Sequence, residues 1–196
     1  MKMQLRYFLP LIVALACLGC EQDKTTHDAY VKLGGSGSSA ASQPSTAAAK
    51  PAGDVKLDLK SVDQLHELIA SKKGKVVVVD AWSTYCDPCM KEFPGLVGLH
   101  KKYGPEKIAC VSFCMNYVGL GKVEDEIEPV IEFLRKQGAT FDNILSTDED
   151  TVVNKKLDIK SVPAIFIYDR DGKLVKLINT ETTYAEVEKI VAPLMQ

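Results

Sequence analysis

The rhythm of apolar and polar positions changes repeatedly along this chain, and each change predicts an element. Val55, Leu57 and Leu59 alternate with polar residues, the period of a short half-buried strand. Ser61 follows as a helix cap, with Gln64 in the capping-box position. Val62, Leu65, Leu68 and Ile69 form the apolar face of that helix, and Gly74 ends it. Val76 to Val79 are apolar on both faces, so Lys75 to Trp82 predicts a central strand covered on both sides. A helical pattern runs from about Cys89 to Tyr103, and another apolar strand from Ile108 to Phe113. Glu128-Pro129 opens a helix lined by Val130, Ile131 and Leu134 and closed by Gly138, because proline suits a first turn. A weaker strand near Asn143 to Leu145 and a short helix near Asp150 to Leu157 come next. Ala164 to Tyr168 and Lys173 to Ile178 are strands joined by Asp169-Arg170-Asp171-Gly172, a strong hairpin signal. Thr183 and Glu186 cap a last helix whose apolar face is Val187, Ile190, Val191 and Leu194. Strands alternating with helices, then a closing hairpin and helix, predict an α/β fold: a mixed central β-sheet with helices on both faces.

Ahead of Asp54 the pattern is of another kind. Lys2 and Arg6 precede an apolar run from Leu9 to Leu18, broken only by Pro10, and the chain turns polar at Glu21. That is a secretory signal, too short in its apolar part for a comfortable membrane span. A cysteine at its end resembles a bacterial lipoprotein signal, in which the new N-terminal cysteine is lipidated. Cys20, where the apolar run gives way to charge, is the favoured lipidation site; Cys17, after Ala14-Leu15-Ala16, is the second, and an uncleaved helical anchor the third. Each places the rest of the chain outside the cytoplasm and anchored to a membrane. Residues 21–53 carry Gly34-Gly35-Ser36-Gly37 and an Ala/Ser/Thr/Pro stretch without apolar periodicity, which predicts a flexible linker. The expected division is therefore a signal over 1–20, a linker over 21–53 and a folded domain over 54–196.

Composition adds limits. The 196 residues allow one ordinary domain plus some unfolded chain, and 46% apolar content suffices for a sizeable core. A net charge of −2 with mixed signs gives no footprint for nucleic acid. A monomer is the default state.

The candidate chemistry lies where the central strand ends. Cys86-Asp87-Pro88-Cys89 follows that strand directly and opens a helix. A cysteine at a helix N-terminus meets unpaired backbone N–H groups and the positive end of the macrodipole, which both stabilise a thiolate. Two intervening residues put the second cysteine one helical turn on, close enough to close a disulfide. A Cys-x-x-Cys also makes half of a zinc site, and Cys110 and Cys114 could add two thiolates. Both lie on one predicted strand with their sulfurs far apart, so no metal and no other cofactor is expected. Cys110 is expected in the core, and Cys114 buried there or near the active-site edge. His27, His66 and His100 have no ligand-like neighbours. Asp80, inside an apolar run, would be expensive to bury unpaired and is expected to be a paired or functional acid.

The stretch Val79-Asp80-Ala81-Trp82-Ser83-Thr84-Tyr85-Cys86-Asp87-Pro88-Cys89 resembles the strand and active-site turn of the thioredoxin superfamily, in particular its TlpA/ResA-like extracytoplasmic branch. Lys91-Glu92-Phe93-Pro94 matches the continuation, with Pro94 where the family kinks its active-site helix. Val162-Pro163 fits the family's cis-proline site, and residues 115–145 are like the central insert of that branch. The resemblance implies a thioredoxin-like fold over 54–196. It implies Cys86 as the nucleophile and Cys89 as the resolving cysteine. It further implies a substrate groove of Trp82, Tyr85, Pro88, Val162 and Pro163, and Asp80 or Glu92 as the group exchanging a proton with Cys89. Tyr85 stands where tryptophan is usual and Ala164 where threonine is common; Asp87 sets a negative charge beside the thiol, which favours the disulfide form.

The implied activity is thiol–disulfide exchange with protein disulfides, expected in the reducing direction, with a membrane protein as electron donor. The apocytochrome c disulfide is one implied substrate. A disulfide oxidase or isomerase, and a non-catalytic binding module on the same fold, are the alternatives.

Overall fold

In the computed structural model the described residues are 54–196. The expected signal, the Cys20 lipidation site and the linker lie outside them. The elements are β1 (Asp58–Lys60), α1 (Val62–Ser71), β2 (Val76–Trp82), α2 (Asp87–Lys107), β3 (Ile108–Cys114), a 3-10 turn (Val123–Glu126), α3 (Ile127–Gln137), β4 (Asp142–Ser146), α4 (Asp150–Leu157), β5 (Ala164–Tyr168), β6 (Leu174–Ile178) and α5 (Tyr184–Leu194). Six strands form one sheet in the order β1-β4-β3-β2-β5-β6. The β1–β4, β4–β3 and β3–β2 pairs are parallel, and the β2–β5 and β5–β6 pairs antiparallel.

Alternation along β2 assigns its side chains to two cores. Val76, Val78 and Trp82 pack under α2, α3 and α5 with Phe93, Leu134 and Val187. Val77, Val79 and Ala81 pack under α1 and α4 with Leu65, Ile69 and Val153. All seven β2 residues are buried, as a doubly covered strand requires. The mixed sheet with helices on both faces is the architecture that the apolar rhythm predicts.

Local chemistry sets several boundaries. Ser61 and Gln64 form the reciprocal capping box of α1, with bonds of 3.3 and 2.9 Å. Asp169 Oδ1 accepts from the N–H groups of Asp171 and Lys173, holding the turn between β5 and β6, where Gly172 takes φ 82°.

Two expectations are corrected. The alternation from Val55 does not become a strand of that length: β1 keeps the three residues that pair with β4, and Leu59 stays exposed. Helix α2 starts at Asp87, not Cys89, because Cys86 itself caps it. The helical pattern predicts an end near Tyr103, and α2 breaks just after it, at Gly104 (φ 65°, ψ 173°) ahead of Pro105, with Pro94 inside the helix. Among the described residues no helix is long and apolar enough to cross a membrane.

Candidate active site

Sheet register builds the site. Strand β5 runs antiparallel to β2, so it begins where β2 ends, and Ala81 pairs with Ala164. Pro163, one residue ahead of β5, therefore stands beside the loop that leads from β2 into α2. The Val162–Pro163 peptide bond is cis.

Cys86 and Cys89 form a disulfide with a Cα–Cα distance of 5.3 Å. Cys86 is the N-cap of α2, and its sulfur accepts from the Cys89 backbone N–H at 3.3 Å. The same N–H and the helix dipole would stabilise a Cys86 thiolate once the pair is reduced. Cys86 is half-buried whereas Cys89 is buried, so an incoming disulfide reaches Cys86 first.

A polar network missed by the sequence reading holds this loop. The Asn116 side chain is buried just past β3. Its Oδ1 accepts from Ser83 Oγ and the Thr84 backbone N–H, both at 2.9 Å, and from Cys114 Sγ at 3.2 Å. Its Nδ2 donates to Thr84 Oγ1 at 2.7 Å and Glu126 Oε2 at 2.9 Å. Tyr85 Oη donates to the same Glu126 oxygen at 3.3 Å. Polar residues at a strand end and in a long insert give no local signal of such a hub.

Asp80 on β2 is 4% exposed, and its Oδ2 accepts from Tyr184 Oη at 2.6 Å. Burial pushes the Asp80 carboxyl up from 3.8 to about 6, against the lowering pull of that hydrogen bond. Asp80, Cys89, Glu92, Pro163 and Tyr184 line one cavity of about 270 Å³. On the outer side, Tyr85, Cys86, Met115, Val118 and Val162 line a second of about 250 Å³. Pro88 borders the first cavity, so both expected acids and four of the five expected groove residues meet around the pair.

Trp82 is the exception. It is fully buried, with ring centroids 4.9 Å from those of Phe93 and Phe133, and its Nε1–H donates to Ser112 Oγ at 3.2 Å. The alternation of β2 turns it into the core beneath the loop rather than into the groove. Cys110 and Cys114 are buried free thiols, and burial, with Asp80 as a lesser contributor, pushes Cys110 up to about 12. No group of three or more His, Cys, Asp or Glu among the described residues is placed to hold a metal ion.

This chain is similar to known proteins. The thiol-disulfide oxidoreductase ResA of Bacillus subtilis is 28% identical over 128 residues, covering 64% of this chain and 66% of the relative. ResA of Bacillus cereus is 30% identical over 116 residues, covering 59% and 61%. The chain thus spans just under two thirds of the length of these relatives. Among solved structures, a thiol:disulfide interchange protein of the thioredoxin family from Chlorobium tepidum matches with a TM-score of 0.52 at 23% identity, covering 65% of this chain and 84% of that one. That likeness identifies the fold as thioredoxin-like. The Redoxin family matches residues 47–192, from ahead of β1 into α5, and the chain belongs to that family.

Proposed function

We propose that the protein is a thiol–disulfide oxidoreductase that reduces protein disulfides outside the cytoplasm. The observation that carries this reading is the Cys86–Cys89 pair at the N-terminus of α2, with Cys86 half-buried and Cys89 buried beside the cavity that Asp80 also lines. In the reduced protein the Cys86 thiolate attacks a substrate disulfide; one S–S bond breaks, a mixed disulfide forms, and the first substrate sulfur leaves and takes up a proton. Cys89 then gives its proton to a base and attacks Cys86 Sγ. The mixed disulfide breaks, the second substrate sulfur leaves and is protonated, and two electrons have passed to the substrate. Asp80 and Glu92, which border the same cavity as Cys89, are the proposed bases, and Tyr85, Pro88, Val162 and Pro163 the walls of the groove.

The reducing direction is supported by Asp87, whose charge disfavours a thiolate at Cys86, and by the likeness to ResA. That likeness also supports the disulfide of apocytochrome c as a substrate. A membrane protein is the proposed electron donor, and a lipid on Cys20 the proposed anchor for a monomer.

Reduction potential and insulin reduction together test this, with Cys86→Ser as control. A potential near or below about −250 mV supports the reductase, whereas one near about −120 mV makes it an oxidant. A wild-type protein no faster than Cys86→Ser in reducing insulin would be a binding module instead.

A further inference from the structure

We propose that Tyr184 is a positioning residue of the exchange reaction: from the first turn of α5 its hydroxyl grips the Asp80 carboxylate and holds it as a proton acceptor at the cavity both share with Cys89. The inference rests on the dithiol-exchange reading above.

The two side chains are 104 residues apart in the chain and meet at 2.6 Å, Asp80 4% exposed and Tyr184 7%. A carboxylate this deep needs a donor, and among the described residues Tyr184 is the one that hydrogen-bonds it. The seat of the ring is built into the active-site helix. A Cβ on Gly95 of α2 would lie 2.4 Å from Tyr184 Cβ and 2.5 Å from its Cγ. Glycine at that position therefore lets α5 come close enough for the phenol to pass under α2 to β2. The helix that carries the cysteines is thus the one that keys Tyr184 in place.

The other groups around the acid are few. Helix α2 contributes Cys89, Lys91 and Glu92, the segment ahead of α5 contributes Glu181, and β5 contributes the uncharged Ile165. From β3, Cys110 faces Asp80 as a neutral thiol.

In the second half of the exchange the Cys89 S–H bond breaks and the proton passes across the cavity to Asp80. The Cys89 thiolate attacks Cys86 Sγ, the substrate sulfur leaves with the electron pair of the broken S–S bond, and Asp80 returns the proton to the solvent or the leaving thiolate. A carboxylate that has lost the Tyr184 hydroxyl keeps its proton to higher pH, so this step would stall in acid.

Reaction of the reduced full chain carrying Cys17→Ser and Cys20→Ser with 5,5′-dithiobis(2-nitrobenzoate) separates the two halves, because Cys110 and Cys114 are buried, Cys86 releases one thionitrobenzoate and Cys89 the second. For Tyr184→Phe, the acid limb of the second release should move up by about one to two pH units, about tenfold slower at pH 6, converging on the wild-type rate by about pH 9. Adding Tyr184→Phe to Asp80→Asn should move nothing further. A second release that coincides with wild type, or that is slower by one factor at every pH, would overturn the positioning role. A protein with Tyr184 intact in the same Cys17→Ser, Cys20→Ser background that releases no thionitrobenzoate would overturn the exchange reading, and this one with it.

Discussion

Replacing Asp80 by asparagine should stabilise the protein, by an amount that grows with pH. Burial raises the folded-state carboxyl from 3.8 to about 6, so between those values the folded state binds the proton that the unfolded state releases. Stability from this group is full below pH 3.8 and declines until the folded carboxyl ionises near pH 6. The complete loss is about 3 kcal/mol, from roughly 1.4 kcal/mol per pH unit. Asparagine is nearly isosteric with the protonated acid, does not titrate, and still offers an oxygen to the Tyr184 hydroxyl. The variant should therefore exceed wild type by about 1–2 kcal/mol at pH 5 and about 3 kcal/mol at pH 7.5, before any constant cost of the amide. Urea denaturation of both oxidised proteins at the two pH values gives the difference, in which that constant cost cancels. A gain that changes by less than about 0.5 kcal/mol between them would refute the assignment of a raised carboxyl to Asp80. The same variant should slow the Cys89 step, so the acid that serves exchange is one that weakens the fold at neutral pH.

Two further substitutions test other parts of the site. Cys89→Ser should leave Cys86 able to attack but unable to be released, so the mixed disulfide with a protein substrate should accumulate and be visible on non-reducing gels. Asn116→Ala removes the acceptor of Ser83 Oγ and of the Thr84 N–H, and should cost about 2–4 kcal/mol at one to two kcal/mol for each orphaned group, read by chemical denaturation.

Much of the architecture was legible because its causes are local. The valine run of β2, the Ser61–Gln64 box and the turn at Asp169–Gly172 act within a few residues, and each lies where the pattern puts it. Where the reading failed, a neighbour decided. The alternation from Val55 to Leu59 suggests a longer strand, but only Asp58 to Lys60 find ladder partners on β4, and Cys86, by capping α2, moves the helix start ahead of Cys89.

The sequence by itself determined the placement of the reactive pair, because a Cys-x-x-Cys between a buried strand and a helix meets free backbone N–H groups in any fold that keeps those elements. Tertiary structure decided the rest. The antiparallel register of β5 on β2 brings Pro163 to the pair, and α2 covers Cys89 while leaving Cys86 half open. Trp82 went into the core because β2 is covered on that face by α2 and α3. Asp80 met Tyr184 because α5 packs closely on α2 at Gly95. Such contacts depend on strand order, register and interhelical distance, which are set by all the packed surfaces together and leave no periodic trace in the chain.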